Sequence, residues 1–266
     1  MKKELEVKKE TALAPMPFDL NELAADAELG GKVALADISL PYIYALQSNS
    51  PQTNPDSEKY IEGAVAGMIL ISSLDKAYEG RTKGLKIVPC FFESKINEWI
   101  PREIGGGLVG TYEPDDPIMN STKLNAKGIP CLPNGHMMVP TAYHYVLVQL
   151  PDTGSWIQAI IPMKSTGLKK SRKLNSVIST TNIPGTNKRA PRFLYSWMLN
   201  TVKEQKDVNI WSNFEFTQSD MVSSEVYAAA KQYAIVAGKG ILRKAAEESK
   251  HEGTDTVASE NDLEVL

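Results

Sequence analysis

From Leu40 onward the chain is a succession of short segments rich in β-branched and aromatic residues, each closed by Gly, Pro, Asn or Asp. LPYIYALQ, GMILISS, LKIVPCFFE, GGLVGTY, YHYVLVQL and SWIQAIIP come first, and RFLYSWML and VNIWSNFEF follow. Such residues suit the pleated, half-buried surface of a strand, and the punctuation between them marks turns. The connections are too short for parallel crossovers, so consecutive strands are expected to pair antiparallel. In the last segment Val208, Ile210, Phe214 and Phe216 fall on one face and Asn209, Trp211, Asn213 and Glu215 on the other. That alternation predicts a half-buried strand with Trp211 turned away from the main apolar face.

Two helices interrupt the strands. The first is expected after Ser165-Thr166, through GLKKSRKLNSVIST to a stop near Asn182, ahead of Pro184. Leu174, Val177 and Ile178 would face the core, with Lys169, Arg172 and Lys173 on another face. The second is expected from near Ser219-Asp220, covering roughly Val222 to Glu248. The organisation that follows is a flexible arm over residues 1–36, one α+β domain over 37–248 and an acidic, disordered tail over 249–266. The core is expected to be a twisted antiparallel β-sheet, OB-like or Whirly-like, with two helices and disordered termini.

Charge is distributed unevenly. The chain is slightly acidic, at net charge -3, yet between Thr153 and Lys203 there is no aspartate or glutamate. That stretch holds Lys164, Lys169, Lys170, Arg172, Lys173, Lys188, Arg189, Arg192 and Lys203. A one-signed island in a chain of the opposite sign implies a partner of opposite charge. Aromatic residues lie in and beside it, and cations for phosphates with flat rings for bases are what single-stranded nucleic acid requires of a surface. Phe91, Phe92, Trp156, Trp197 and Phe214 read as core, and Tyr42, Tyr44, Trp99, Tyr195 and Trp211 as better placed for exposure.

Other chemistries find less support. His136, His144 and His251 sit in unrelated contexts, and no nucleophile elbow, zinc spacing or triad order is present. Asp115-Asp116, between prolines, reads as a turn, and Gly105-Gly106-Gly107 lacks the Lys-Ser/Thr of a phosphate loop and reads as a bulge or tight turn. Cys90 and Cys131 are expected to be two inert thiols in a reducing compartment. No apolar run approaches the length that spans a bilayer, and MKKELEVKKE lacks the apolar segment of a signal peptide. A binding protein without cofactor, metal or catalytic residue is therefore expected. The tail, with Glu252, Asp255, Glu260, Asp262 and Glu264, would compete with phosphates for the basic surface and serve as a hook for partner proteins.

A resemblance rests on three stretches: LPYIYALQSNSPQTNPDSEKYIEGAVAGMILISS, LKIVPCFFESKINEWIPREIGGGLVG and IIPMKSTGLKKSRKLNS. Over roughly residues 38 to 180 they resemble a family of tailed-bacteriophage single-stranded-DNA-binding proteins. The shared elements are a Leu-Pro…Gln-x-x-Ser-Pro opening, an Ile/Val-Glu-Gly-x-x-x-Gly element and a Val-Pro-x-x-Phe strand. A Glu-Trp before a Gly-Gly-Gly turn and a Ser-Thr-x-x-Lys-x-Ser-Arg helix start complete the set. The resemblance implies roles in phage replication, recombination and sometimes transcription, in the host-cell cytoplasm. It maps onto Gln47, Ser50, Pro51, Trp99, Gly105 to Gly107, Lys170 and Arg172, and the SNSPQTNPD loop departs from the pattern.

The expected function is sequence-independent binding of single-stranded DNA. Lys164, Lys169, Lys170, Arg172, Lys173, Lys188, Arg189 and Arg192 would hold phosphates, with Trp99, Tyr195 and Trp211 stacking bases. The chain is expected to form a homo-oligomer and to reach replication proteins or RNA polymerase through its tail. Two rival readings remain: a transcription regulator that grips RNA polymerase, and a virion or scaffold protein.

Overall fold

Pro89 has no amide hydrogen, so inside a central strand it forces a local break in the ladder, and the long strand that carries it is bulged there. The computed structural model describes residues 40–239, together with the isolated Asp26. Apart from Asp26, the arm at 1–36 lies outside the described residues, as do the tail at 249–266 and the part of the expected second helix beyond residue 239. From residue 40 onward all belong to one compact unit.

Among the described residues of this unit are eleven strands and two α-helices. β1 (Ile43–Ala45), β2 (Ile69–Ile71) and β3 (Lys76–Tyr78) form a small antiparallel sheet. The large sheet contains β4 (Leu85–Trp99), β5 (Leu108–Tyr112), β6 (Lys123–Leu124), β7 (Pro130–Cys131), β8 (Met137–Gln149) and β9 (Trp156–Lys164). α1 (Gly167–Thr180) follows, then the ribbon of β10 (Tyr195–Lys206) and β11 (Asn209–Met221), and α2 (Ser224–Gly238) closes the described chain.

The order β11-β10-β4-β8-β7-β6, with β5 beside β4 and β9 beside β8, gives an antiparallel sheet curled into an OB-like half-barrel. β4 pairs with β8 along nearly its whole length, but its other edge is shared: β10 takes Leu85 to Ile87 and β5 takes Ile96 to Trp99. The register slips between Pro89 and Phe91, leaving Cys90 as the extra residue. Bulges of this kind bend a strand and sharpen its twist, which lets one strand serve two differently oriented neighbours. The three glycines that follow β4 all have positive φ, at 122°, 69° and 117°, and form the turn into β5.

Two apolar clusters lie on opposite faces of this sheet. Inside the curl, Ile43, Ile69, Ile71, Ile87, Val146 and Ile161 pack with Leu174 and Ile178 of α1 and with Trp197, Leu199 and Phe214 of the ribbon. On the outer face Val88, Cys90, Tyr145, Leu147 and Ile160 are covered by Ala230, Tyr233 and Ala237 of α2. Burial pushes the Cys90 thiol up to about 12, and both cysteines are free.

Both helices depart from the sequence reading in a definable way. On α1 the buried positions are Gly167, Ser171, Leu174 and Ile178, whereas Val177 is exposed. Ser171 takes the inward place because its hydroxyl meets the buried His144 ring. The second helix starts at Ser224 rather than near Ser219, because β11 keeps pairing with β10 as far as Met221 opposite Tyr195. Ser223 then caps it, accepting from the Val226 amide. Val208 and Ile210 are also exposed. β10 leaves β4 after Leu199, so the far end of the ribbon has little to pack against.

The opening motif has a structural use. The Gln47 side chain donates to the Ser212 carbonyl at 2.9 Å and accepts from the Ser212 amide at 2.8 Å, occupying both edge groups of β11 at that residue. Ser50 holds the turn by accepting from the Gln47 amide, and Pro51 starts the 3-10 turn that follows. Gln47→Ala strips Ser212 of both partners in a buried setting and is expected to cost about 2–3 kcal/mol. Gln47→Glu, which cannot donate to the carbonyl, should do no better. An unchanged urea midpoint for both variants would show that the lock contributes nothing.

Candidate nucleic-acid interface

α1 is amphipathic in an uncommon sense, because one side is apolar and the other cationic. At about 100° per residue, Lys169, Arg172 and Lys173 fall opposite Ser171, Leu174 and Ile178. All three cations are exposed and have no ion-pair partner among the described residues. There is no acidic residue in the first turn of α1. Lys169 and Lys170 thus sit beside the positive end of the helix dipole, an arrangement that favours a bound anion.

Two further exposed cations follow the helix in the chain. Thr181 caps it, and the Asn182–Arg189 bridge with the Ala190 amide bonded to the Thr181 carbonyl folds residues 182–189 into a turn at its C-terminal end. Lys188 and Arg189 are exposed on that turn. Five exposed cations thus lie on a helix and its own loop, with no carboxylate between them in sequence.

Three of the expected phosphate ligands are placed differently. Lys170 is half-buried and pairs with Glu204 of β10 at 2.9 Å. Glu204 also accepts from Asn213 Nδ2 at 2.7 Å and Trp211 Nε1 at 3.1 Å. Desolvation alone would raise the Glu204 pKa, but these hydrogen bonds and Lys170 outweigh it, and the pKa is lowered. Arg192 is turned inward: its guanidinium donates to Asn175 Oδ1 on α1 and to His144 Nδ1 on β8, and lies 5.5 Å from the Phe92 ring centre. Burial lowers its pKa to about 10, and no carboxylate pairs with it among the described residues. Lys164 is half-buried at the end of β9, 6.0 Å from the Trp99 ring centre.

Of the aromatic residues proposed for stacking, Trp211 comes next to α1, because it shares Glu204 with Lys170, whereas Trp99 does not. Trp99 pairs across β4–β8 with Met137, and Lys164 across β8–β9 with Thr141. Residues paired in this way share a face, and theirs is the face of Tyr145 and Leu147, opposite the His144 face on which α1 packs. Trp211 is tied to Glu204, and Tyr195 is half-buried at the start of β10. Tyr42 and Tyr44 stack on each other at 6.1 Å. Tyr60, which the sequence reading passed over, is the one aromatic residue classed as exposed among those described. Its neighbours Glu58, Lys59 and Glu62 were the available sign.

Arg192 fixes the chemistry of His144. An arginine only donates, so Nδ1 of His144 accepts, and Nε2 carries the proton and donates to Ser171 Oγ at 2.7 Å. Burial first, and the Arg192 charge second, lower the His144 pKa from 6.5 to about 3. Between those values the unfolded chain binds a proton that the folded chain refuses. Stability is therefore full above about pH 6.5 and declines as pH falls towards 3. Expected at pH 4.5 is a loss of roughly 2–3 kcal/mol relative to pH 7, from this group alone. His144→Gln, whose amide can make the same two bonds, should flatten the decline. An equal decline in the two proteins, measured by urea unfolding at both pH values, would remove His144 as its cause.

A curled, OB-like antiparallel half-barrel flanked by a cationic helix is the class of protein that this fold and surface define. The chain belongs to the Pam3 phage gp34-like protein family, whose model matches residues 8–241, and is thus a bacteriophage-family protein. No curated protein and no solved structure matches it. Among the described residues no helix is long and apolar enough to cross a membrane.

Proposed function

We propose that this phage protein binds single-stranded DNA without sequence preference, with phosphates held along α1 and the turn that follows it. The observation that carries this reading is the set Lys169, Arg172, Lys173, Lys188 and Arg189. These cations are exposed, lie on α1 and the turn that follows it, and have no ion-pair partners among the described residues. Five neutralised phosphates correspond to a salt slope of about -3.5 for a single strand. Lys170 stiffens the helix through Glu204, and Arg192 anchors it to β8, so both support the surface from below rather than contact the strand. Binding, not catalysis, is the activity proposed, with no cofactor. The acidic tail is proposed to reach replication proteins or RNA polymerase from the host cytoplasm, and copies of the chain to associate on one strand.

Fluorescence anisotropy with a labelled single strand and its duplex, each at two salt concentrations, tests the reading. Tighter binding of the single strand, weakening steeply with salt, is expected. Equal affinity for the duplex, or indifference to salt, would overturn it. Removing residues 249–266 should preserve or increase DNA affinity, whereas a protein acting mainly through RNA polymerase would lose its activity.

A further inference from the structure

Trp211 differs in its surroundings from the other three tryptophans of the chain. Trp197 lies in the cluster inside the curl, Trp156 packs against the outer one, and Trp99 packs against Ile129 and Val139. Among the described residues Trp211 belongs to no apolar cluster, and it is half-buried on β11. Large aromatic rings dominate cores, so one held outside them leaves apolar surface that a ligand can cover.

Hydrogen bonds orient this ring. Its Nε1 donates to Glu204 Oε2 at 3.1 Å, and Glu204 is held in turn by Asn213 Nδ2 at 2.7 Å and Lys170 at 2.9 Å. With its one donor satisfied inside the chain, the indole has its π-face left to offer. Asn213 shares the Trp211 face of β11, and its amide reaches Thr166 Oγ1, immediately before α1, at 3.5 Å. Trp211 therefore stands beside the first turn of the helix that carries Lys169. β10 places Glu204 opposite Trp211, and Lys206 follows on the same face, nearer the tip of the ribbon. Lys206 is exposed and has no ion-pair partner among the described residues.

We propose that one base of the bound DNA stacks on the Trp211 ring, with its flanking phosphates held by Lys169 on one side and Lys206 on the other. The proposal rests on the single-strand reading above. It adds one phosphate contact to the cations named there and carries the DNA from the helix onto the ribbon. Every base has a π-face, so a stacking platform favours unpaired bases over a duplex without selecting a sequence. Glu204 is a positioning residue, which fixes the indole and draws Lys170 to it without touching the DNA.

Anisotropy and tryptophan fluorescence on the full chain test this. Trp211→Ala should bind oligo(dT) about tenfold more weakly, yet match the wild type on an abasic phosphodiester of equal length. Trp211→Phe, which keeps a ring, should retain most of the affinity, while the quenching that oligo(dT) produces in the wild type is largely lost. That comparison decides the matter if Trp211→Ala does not fold. Lys206→Ala should lower the salt slope by about 0.7 and leave the preference for base-bearing over abasic DNA unchanged. An equal effect of Trp211→Ala on the two ligands, or none on either, overturns the stacking, as does quenching that survives in Trp211→Phe. The phosphate surface stands in each of those cases. An unchanged slope in Lys206→Ala removes the ribbon from the path of the DNA. Failure of any single strand to saturate the protein overturns both readings.

Discussion

Replacing Lys169, Arg172 and Lys173 together by alanine is expected to weaken single-stranded DNA binding about fiftyfold at 0.15 M salt and to reduce the salt slope by about 2. The reasoning is additive in charge: each phosphate neutralised contributes about 0.7 to the slope for a single strand. These three side chains project from the side of α1 opposite its buried stripe and have no carboxylate partner to release among the described residues. Their loss should leave folding almost untouched, since exposed positions on a helix usually change stability by no more than about 0.5 kcal/mol. The same triple change in a protein whose DNA affinity rested elsewhere would leave slope and affinity as they were. Anisotropy titrations at four salt concentrations decide between these outcomes.

Arg192→Ala is expected to behave in the opposite manner. It deprives His144 Nδ1 and Asn175 Oδ1 of their shared donor and opens a gap beside Phe92, for a cost of about 2–3 kcal/mol. For a domain of this size that corresponds to a melting point lower by roughly 4–12 °C. The salt slope for DNA should not change. Arg192→Met, which refills the space without the charge, should recover part of the loss, because an unpaired buried cation is itself costly. A variant that melts normally but loses about 0.7 from its slope would instead place Arg192 among the phosphate ligands.

Much of the sheet was legible from residue type. Each of the eight segments read as strands contains one, because β-branched and aromatic runs between turn residues report burial directly. What escaped were elements set by neighbours rather than by local pattern. β3, β6 and β7 are two or three residues long, and SKINEW extends β4 only because β5 and β8 flank it. The bulge at Cys90 also breaks the period of two: Val88 and Phe91 face α2, so counting alternate residues across Pro89 assigns the second half of β4 to the wrong side.

For the surface, the cations were legible and their partners were not. The acid-free stretch identified the charges, yet Glu204, which claims Lys170, lies just beyond its end. The corner formed by Arg192, Asn175 and His144 draws on a loop, a helix and a strand, a meeting that no spacing along the chain announces. For the aromatic residues, alternation says which side of a strand a ring occupies but not what covers that side.

The Gln47 amide has a consequence for assembly. It fills at Ser212 the hydrogen-bonding slots that an incoming strand from another subunit would otherwise use. Sheet extension from copy to copy is thereby denied a foothold at that point of the barrel's rim. If copies of the chain associate on one strand as proposed, contact at that point falls to side-chain surfaces, which can be separated and rejoined without unravelling either subunit.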